Sequence, residues 1–294
     1  MPALAAGPRW HDLVQPSHGA PPVTAKPVAR GARFPATLEH TAPGAAAKPK
    51  STLRPQAPLH HAARDAAQQH RPSGLGLDSA AVRLALVQRL RAEFHCHEAV
   101  CQAMRVVPRH QFVDSALATQ AYEDTSLPIG LGQTISKPSV VARMLSILHE
   151  GSRARASGTL GRVLEIGTGC GYQTALLGQM AQRVLSIERL KPLHDKARAN
   201  LGDQRAGHIR LVYGDGRLGH PPNAPYDSII AAAGGDELPG AWLAQLADGG
   251  RLVAPMQGRK GGGQVLVVVD RHGDDFRRSV HEAVHFVPLK SGIE

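Results

Sequence analysis

From residue 163 onwards, short apolar runs alternate regularly with stretches of helical spacing. The apolar runs predict strands at 163–166, 184–187, 209–212, 228–231 and 252–254, and helical spacing predicts helices at 172–180, 193–201 and 240–246. Strands alternating with helices imply right-handed crossovers and a parallel sheet covered by helices on both faces. We expect 264–270 and 285–289 to close this sheet with antiparallel edge strands. The pattern therefore predicts an α/β fold with a doubly wound, mostly parallel sheet.

Helical patterning also precedes the alternating region. It begins near Leu77, where Asp78 or Ser79 can cap the first turn, and its apolar positions recur every four residues from Val82 to Phe94. If this helix continued, the side chains of residues 97 and 101, a histidine and a cysteine, would share one face. Two ligands on one helical turn do not complete a tetrahedral metal site, so we expect partly buried junction residues there.

The segment 107–113 ends the helical region, because its proline restricts the preceding residue to extended conformations. A polar, glycine-punctuated loop follows at 121–136, and its position before the strand at 163–166 would let it fold over a ligand held there. A further helix is predicted to begin at Pro138, with an apolar face formed by Val140, Val141, Met144, Leu145 and Leu148.

Residues 1–76 have a different composition, rich in Pro, Ala, His and Gly and without a sustained apolar period. Such a segment cannot bury enough apolar surface to offset its ordering entropy, so we predict a disordered tail at 1–76 and a folded domain at 77–294. The tail holds six histidines, which lie too far apart for a preformed metal site. We expect no metal in this protein.

The net charge of +10 initially favours a nucleic-acid partner. The tail, however, carries nine Lys and Arg against three Asp and Glu, which leaves 25 basic against 21 acidic residues in 77–294. The domain is therefore only mildly basic, and without a basic helix carrying interleaved aromatics we expect it to bind no nucleic acid. We expect the tail to associate weakly with acidic partners.

Three cysteines are too few for a disulfide framework, which fits a reducing compartment. The chain lacks a run of 18 apolar residues, and its N-terminus lacks the continuous apolar stretch of a signal peptide. We therefore expect a cytoplasmic protein without a membrane span, working as a monomer or a weakly associated chain.

The glycine-rich stretch Val163-Leu-Glu-Ile-Gly-Thr-Gly-Cys-Gly-Tyr172 is the strongest single motif. A strand, a glycine turn and a helix N-terminus let backbone N–H groups approach a ligand without obstruction by Cβ atoms. Dinucleotide sites use G-x-G-x-x-G, whereas the third glycine here comes one residue early, and the Gly-Lys-Ser/Thr ending of a phosphate loop is absent. The alternative is a glycine turn that only packs a helix on a sheet.

Acidic residues follow or end three successive predicted strands. Glu188 can accept hydrogen bonds from ribose hydroxyls, Asp215 can accept from an adenine amino group beside Gly216, and Glu165 can orient the glycine turn or the amino-acid end of a ligand. Each acid alone could instead be a solvated strand-end residue. Together they mark the carboxyl edge of the sheet, where ligands of open α/β folds bind.

Motifs along 78–290 resemble protein-L-isoaspartate O-methyltransferases, a family of class I, Rossmann-like S-adenosylmethionine-dependent enzymes. In order, they are Val107-Pro-Arg-His-Gln-Phe-Val113, Ala121-Tyr-Glu-Asp124, Leu127-Pro-Ile-Gly130, Gly132-Gln-Thr-Ile-Ser136, the glycine stretch with its E-x-G-x-G-x-G pattern, Gly214-Asp-Gly216, Ala224-Pro-Tyr-Asp227, Gly249-Gly-Arg-Leu252 and Phe286-Val-Pro-Leu289. The resemblance implies methyl transfer from S-adenosylmethionine to the α-carboxylate of L-isoaspartyl residues in damaged proteins and peptides. S-adenosylhomocysteine is then the product, and the ester cyclises to a succinimide whose hydrolysis returns some normal aspartate.

The resemblance also implies roles for individual residues. It makes Ser136 the active-site residue, whose hydroxyl and backbone N–H position the substrate carboxylate, with Thr134 beside it. The other implied contacts are to the cofactor: Ile129, Gly130 and Gly132 at the wall, Gly167 and Gly169 at the methionine portion, Glu188 at the ribose, and Asp215 and Gly216 at the adenine. Gln264 matches a late family position near the substrate and cofactor.

Two features depart from the family pattern, and several alternatives stay open. Ser139 stands where relatives often carry an aromatic residue or histidine, and the stretch 232–236 lacks a hydroxyl often found after the fourth strand. Ser136 could also act as a helix N-cap before Pro138. A methyltransferase for another carboxylate or a small molecule, and a cofactor-binding protein without turnover that works through its tail, are the alternative functions.

Overall fold

A computed structural model describes residues 80–202, 207–258 and 263–294. The tail predicted at 1–76 and the predicted caps Asp78 and Ser79 lie outside these residues. The elements that precede the main sheet, in chain order, are α1 (Ala80–Phe94), α2 (Glu98–Val106), β1 (Leu127–Gly130), β2 (Gln133–Ile135), α3 (Pro138–His149) and α4 (Ser152–Ser157). Two short 3₁₀ helices, Arg109–Phe112 and Ser115–Gln120, connect α2 to β1.

The main sheet has seven strands in the order β5-β4-β3-β6-β7-β8-β9. The elements from here on are β3 (Arg162–Ile166), α5 (Tyr172–Met180), β4 (Arg183–Glu188), α6 (Lys191–Leu201), β5 (Ile209–Tyr213), β6 (Tyr226–Ala231), α7 (Gly240–Gln245), β7 (Leu246–Gln257), β8 (Gln264–His272) and β9 (Asp275–Val284). The first five strands in the order pair in parallel, and β8 and β9 add antiparallel pairs. The predicted doubly wound α/β fold is confirmed.

Apolar residues of the central strands pack against both faces of the sheet. Successive residues of β3 point to opposite faces, so Val163 joins one hydrophobic cluster and Leu164 the other. The first cluster includes residues of α1, α2, α3, α5 and α6, and the second is built around Trp242 of α7. This two-sided burial explains why the central strands are continuous apolar runs in the sequence.

The predicted strand at 285–289 is wrong, and the edge strand lies earlier in the chain. Residues of β9 pair with β8 from Gln264↔Val284 to His272↔Asp275, across a turn in which Gly273 has a φ of 60°. The segment 285–289 instead forms an isolated bridge from Pro288 to Gly234, beyond the end of β6. Proline cannot donate to a strand ladder, which disfavours a regular edge strand at this segment.

The predicted loop at 121–136 contains a small antiparallel hairpin. Strands β1 and β2 pair from Leu127↔Ile135 to Gly130↔Gln133, and the turn between them has positive φ at Gly130, Leu131 and Gly132. Leu127, Ile129 and Ile135 are buried in the first hydrophobic cluster. The glycines that the sequence shows as loop punctuation therefore form the tip of a hairpin whose base is packed into the core.

His97 and Cys101 lie where the sequence predicts a helix junction, with His97 partly buried and Cys101 fully buried. The backbone leaves helical geometry at His95, whose φ is 51°, and α2 begins afresh with His97 as N-cap, its Nδ1 accepting from Ala99 N–H at 3.2 Å. Over the described residues, groups of three or more His, Cys, Asp or Glu able to hold a metal ion are absent. The same residues include no helix long and apolar enough to cross a membrane.

His149 is a buried ring at the end of α3 that stacks on His97, with ring centroids 4.1 Å apart. Among the described residues neither of its ring nitrogens finds a hydrogen-bond partner. Burial, and to a smaller extent the neighbouring His97, lowers the pKa of His149 below its ordinary value of 6.5. The folded chain therefore keeps this ring neutral where the unfolded chain would protonate it.

We predict that His149 weakens the fold in acid. Because its pKa is lower in the folded chain, the unfolded chain binds more protons, and stability falls as the pH drops below about 6.5. The variant His149→Leu should lose less thermal stability than the wild type between pH 7.5 and 5.5. The measurement is the midpoint of thermal unfolding at both pH values, with exposed His272→Leu as control. An equal acid-induced loss in wild type and His149→Leu would contradict the assignment.

Candidate active site

The glycine turn joins β3 to α5 with left-handed backbone at three positions. Gly167, Gly169 and Gly171 have φ values of 89°, 57° and 93°, which side chains with a Cβ rarely adopt. The N–H groups of Gly167 and Thr168 both donate to the carbonyl of Ile187 on β4, at 2.9 and 3.2 Å. The turn is therefore fixed to the neighbouring strand, and α5 begins directly after it at Tyr172.

Glu188, the last residue of β4, closes this turn. Its Oε2 accepts from Gly169 N–H at 2.9 Å, and its Oε1 accepts from Leu190 N–H at 3.0 Å. The side chain is buried and lies on the wall of a cleft. Each carboxylate oxygen can accept more than one hydrogen bond, so Glu188 keeps acceptor capacity for ligand hydroxyls while two main-chain donors hold it in place.

Glu165 lies beneath the turn, inside the core. It is fully buried, and its carboxylate accepts from Gln173 Nε2 at 3.0 Å and from Thr174 Oγ1 at 2.5 Å. Burial raises the pKa of Glu165 to about 7, although hydrogen bonds from Ser186, Thr174 and Gln173 oppose the shift. Glu165 fastens the first turn of α5 to β3, which supports the predicted role in orienting the turn.

The hairpin supplies the opposite wall of the cleft. Lys196 Nζ on α6 donates to the carbonyl of Ile129 at 3.0 Å, which ties the hairpin to the sheet domain. A Cβ built on Gly169 would meet Ile129 Cδ1 at 3.3 Å, so the hairpin and the glycine turn approach closely. Ser136 lies between β2 and α3, where Lys137 is the N-cap, so the alternative of Ser136 as N-cap is not realised.

The cleft between these walls has about 920 Å³ of empty space, including its open mouth. Of the predicted site residues, it brings together the following seven: Ile129, Thr134, Ser136, Gly167, Gly169, Glu188 and Gly216. Gly216 is held by Trp242, whose Nε1 donates to the Gly216 carbonyl at 2.8 Å. Both structural halves, the carboxyl edge of the sheet and the hairpin, therefore contribute to one site.

Five predicted site residues lie off the cleft lining. Gly130 and Gly132 form the hairpin tip, and Glu165 is underneath the turn. Asp215 uses one oxygen for Arg217 N–H at 2.9 Å and the other for Gly292 N–H at 2.6 Å. Gln264 is bonded to both main-chain groups of Phe286, with its Oε1 accepting from the N–H at 2.6 Å and its Nε2 donating to the carbonyl at 3.2 Å.

Sequence reasoning missed several lining residues. The segment 287–290 forms one side of the cleft, and Arg189 lines it directly after Glu188. Arg189 also donates to the Gly292 carbonyl at 3.1 Å, so the chain around residue 292 lies beside the ends of β4 and β5. The Phe286-Val-Pro-Leu289 motif, which resembles the family pattern, is the sequence signal for the 287–290 wall, although its apolar residues also favour a strand.

Two reactive side chains of the cleft stay protonated at neutral pH. Burial raises the pKa of Tyr172 to about 12, even though the guanidinium of Arg109 lies over its ring at 4.9 Å from the centroid. Burial likewise raises the pKa of the Cys170 thiol. A thiol is nucleophilic only as thiolate, so Cys170 serves as a small packing residue of the glycine turn.

We predict that Glu165 makes the fold weaker as the pH rises. Its folded pKa of about 7 exceeds its ordinary value of 4.5, so the folded chain holds a proton that the unfolded chain releases, and stability falls between these two pH values. Glu165→Gln is uncharged throughout, so its unfolding midpoint should fall less than that of wild type from pH 5 to pH 8.

Thermal unfolding at both pH values checks this, with the exposed Glu93→Gln as a matched control. Because His149 acts in the opposite direction, the informative quantity is the difference between variant and wild type. If Glu165→Gln and wild type changed in parallel, the carboxyl would be charged in the fold and the assignment would fail.

Comparison with known proteins places the whole described region in one family. The family model described as protein-L-isoaspartate (D-aspartate) O-methyltransferase matches residues 82–294. A Methylibium petroleiphilum protein-L-isoaspartate O-methyltransferase is 59% identical over 89% of this chain and 97% of its own length. A Leptothrix cholodnii protein of the same name is 56% identical over 91% of this chain and 96% of its own length.

Solved structures agree with these matches in fold. A protein-L-isoaspartate O-methyltransferase structure has a TM-score of 0.63 and 25% identity, covering 71% of this chain and 66% of that chain. A Plasmodium falciparum structure described as a beta-aspartate methyltransferase in complex with S-adenosyl-L-homocysteine has a TM-score of 0.60 and 22% identity, covering 71% and 98%. The family match confirms the resemblance found in the sequence: the chain belongs to the protein-L-isoaspartate (D-aspartate) O-methyltransferase family.

Proposed function

We propose that this protein transfers a methyl group from S-adenosylmethionine to the α-carboxylate of L-isoaspartyl residues in damaged proteins and peptides. The observation that carries the proposal is the single cleft that joins Glu188 and the glycine turn on one wall to Ser136 and Thr134 on the other. Family membership supplies the reaction class. The two walls supply a cofactor side and a substrate side.

The residues present fit the cofactor. Glu188 is a fixed acceptor for ribose hydroxyls, and Gly167 and Gly169 present backbone without Cβ atoms at the cleft. We propose that Gly216, whose carbonyl accepts a hydrogen bond from Trp242, contacts the adenine. Both Asp215 oxygens already accept main-chain hydrogen bonds, so Asp215 could bond to the adenine amino group only in addition to these. When bound, S-adenosylmethionine supplies an electrophilic methyl group on a sulfonium.

The reaction requires the protein to align the reacting atoms, but it requires no general base. A carboxylate with a pKa near 3.9 is already ionised at neutral pH, so its attacking oxygen carries no proton to remove. This agrees with a cleft in which Tyr172 and Cys170 keep their protons. What remains is to hold the oxygen and the methyl carbon about 3–3.5 Å apart and in line with the sulfonium.

Ser136 and Thr134 do this positioning in our proposal. The hydroxyl and backbone N–H of Ser136 donate to the substrate carboxylate, and Thr134 walls the same side of the cleft. Gln264 acts indirectly, because its amide fixes the main chain at Phe286 and with it the 287–290 wall. Leu131 at the hairpin tip is 57% accessible, and we propose that this exposed apolar side chain contacts the bound peptide.

The domain at 77–294 carries this activity, and it works as a cytoplasmic monomer on proteins and not on nucleic acid. The free, buried cysteines Cys96, Cys101 and Cys170 support a reducing compartment, the 25 basic against 21 acidic residues argue against a nucleic-acid partner, and the family match from residue 82 supports the domain boundary. Cell fractionation and gel filtration test it. Recovery in a membrane fraction, or a mass well above that of one 31.2 kDa chain, would contradict it.

The proposed reaction predicts selective methylation. The protein should transfer labelled methyl groups, as base-labile esters, to an isoaspartyl peptide and not to its normal aspartyl twin. Removing the Ser136 hydroxyl with Ser136→Ala should lower kcat on the order of 100-fold, as loss of one donor aimed at a reacting oxygen does elsewhere. The measurement is incorporation from labelled S-adenosylmethionine into both peptides.

Ser157→Ala is the matched control for this experiment, because Ser157 ends α4 away from the cleft. Equal labelling of both peptides would point to another carboxylate substrate. Cofactor binding without incorporation into either peptide would reject turnover on isoaspartate and leave the fold standing.

We predict that Glu188→Gln weakens cofactor binding. The amide replaces an ionised acceptor for the ribose hydroxyls and disturbs the bonds to Gly169 and Leu190, so S-adenosylhomocysteine should bind about 10-fold more weakly, or about 1.4 kcal/mol. Calorimetric titration measures the dissociation constant. Exposed Glu237→Gln should bind like wild type, and unchanged binding in Glu188→Gln would place the ribose elsewhere.

A further inference from the structure

Asp124 makes two hydrogen bonds at the base of the hairpin. Its Oδ1 accepts from the backbone N–H of Ser139 at 2.7 Å, and its Oδ2 accepts from the Ser139 hydroxyl at 2.8 Å. Ser139 is buried in the first turn of α3, and Asp124 is 15 residues away in sequence. We call this pair of bonds the Asp124–Ser139 clamp.

The clamp closes a loop that contains the substrate wall of the cleft. Between its two ends lie β1, β2 and the cleft residues Ile129, Thr134 and Ser136. Ser136 is only three positions from Ser139, with Pro138 fixed at the start of α3. Any shift of the α3 N-terminus relative to the 121–126 segment would therefore move Ser136.

Helix α3 depends on the clamp for its N-terminal hydrogen bonding. Lys137 is the N-cap, and it makes no capping side-chain bond among the described residues. The first N–H groups of a helix lack partners within the helix, and the Asp124 carboxylate supplies an acceptor for one of them, the N–H of Ser139. An acid brought from another segment does here what an N-cap side chain usually does.

Other polar contacts hold the hairpin and the segment before it at different points, and its apolar residues pack into the first hydrophobic cluster. Buried Arg109 donates from Nε to the Ala121 carbonyl at 2.8 Å, before the clamp, and Lys196 donates to the Ile129 carbonyl near the tip. Neither contact reaches the segment 135–139 that carries Ser136. The clamp is therefore the contact best placed to set the position of this serine.

We propose that Asp124 is a positioning residue for methyl transfer, which acts through Ser139 and the α3 N-terminus to hold Ser136 against the substrate carboxylate. The inference rests on the proposed function. It also explains the departure of Ser139 from the family pattern, because the Ser139 hydroxyl provides one of the two clamp bonds. Asp124 itself lies off the cleft lining and touches neither substrate nor cofactor in this account.

The test compares four variants of the full chain in steady-state kinetics. Asp124→Ala should lower kcat for an isoaspartyl peptide roughly 10- to 100-fold, because small misplacements of a positioning group are costly, while S-adenosylhomocysteine affinity stays within about twofold. Ser139→Ala loses one of the two bonds, so its kcat should lie between those of wild type and Asp124→Ala. Asp124→Asn can keep both contacts, with its Oδ1 accepting from the Ser139 N–H and its Nδ2 donating to the Ser139 hydroxyl, and should recover most of kcat. Asp114→Ala, which removes the cap of a 3₁₀ helix outside the loop, should match wild type.

A double variant separates positioning from general destabilisation. If Asp124 acts through Ser136, then adding Asp124→Ala to Ser136→Ala should cost little beyond the single Ser136→Ala effect. Full additivity of the two losses would overturn the proposal. So would an Asp124→Asn variant as poor as Asp124→Ala, since the charge and not the bonds would then matter, or a parallel loss of cofactor affinity.

Hydrogen exchange distinguishes failure of the clamp from failure of the proposed function. Without substrate, the amides of 127–136 should exchange at least about 10-fold faster in Asp124→Ala than in wild type or Asp114→Ala, because the hairpin base opens more often. Unchanged exchange would overturn the clamp whatever the activity. Faster exchange in a protein that methylates no isoaspartyl peptide would reject the substrate and with it the catalytic role, while the clamp itself would stand.

Discussion

The bond between Glu188 and the glycine turn is the constraint on which the proposed cofactor side of the cleft depends. One carboxylate holds Gly169 N–H after β3 and Leu190 N–H after β4, so two neighbouring strand ends share a single anchor. A turn with three left-handed glycines would otherwise have many accessible conformations, and fixing it costs conformational entropy. Helices α5 and α6 start directly after these anchored points, so their N-terminal turns are positioned by the same carboxylate.

The proposed substrate side is held by a different kind of contact. The hairpin is outside the main sheet, and it is joined to the rest of the domain by side chains: Arg109 at its approach, Asp124 at its base and Lys196 near its tip. A rigid sheet edge therefore faces a wall that is held by its buried apolar side chains and by a few hydrogen bonds. In the proposed reaction, which requires alignment across the cleft and little acid–base chemistry, these bonds would help to set that alignment.

Much of the fold could be predicted because buried parallel strands are continuous apolar runs. The edge could not, since most residues of β9, including Arg277, Arg278 and Val280, are exposed without a period-two pattern. The apolar run 285–289 was a better match to a strand template and yet contains Pro288, which fits the cleft wall. The local sequence feature that indicates β9 is Gly273, which takes a left-handed conformation in the turn between β8 and β9.

The position of a side chain in the cleft could be predicted where it follows from a place at a strand end. It was harder to predict where a distant backbone group forms a hydrogen bond with the side chain. Glu188 follows from its place at a strand end. Asp215 has the same kind of place, but both its oxygens are taken by main-chain N–H groups, one of them 77 residues away. The Asp124–Ser139 clamp is a second long-range contact that the sequence does not reveal. Local rules favour Ser136 or Lys137 as the cap of α3, whereas the acceptor for the Ser139 N–H is Asp124, which precedes the hairpin. Long-range hydrogen bonds of this kind depend on the folded arrangement, so they appear only once the three-dimensional contacts are known.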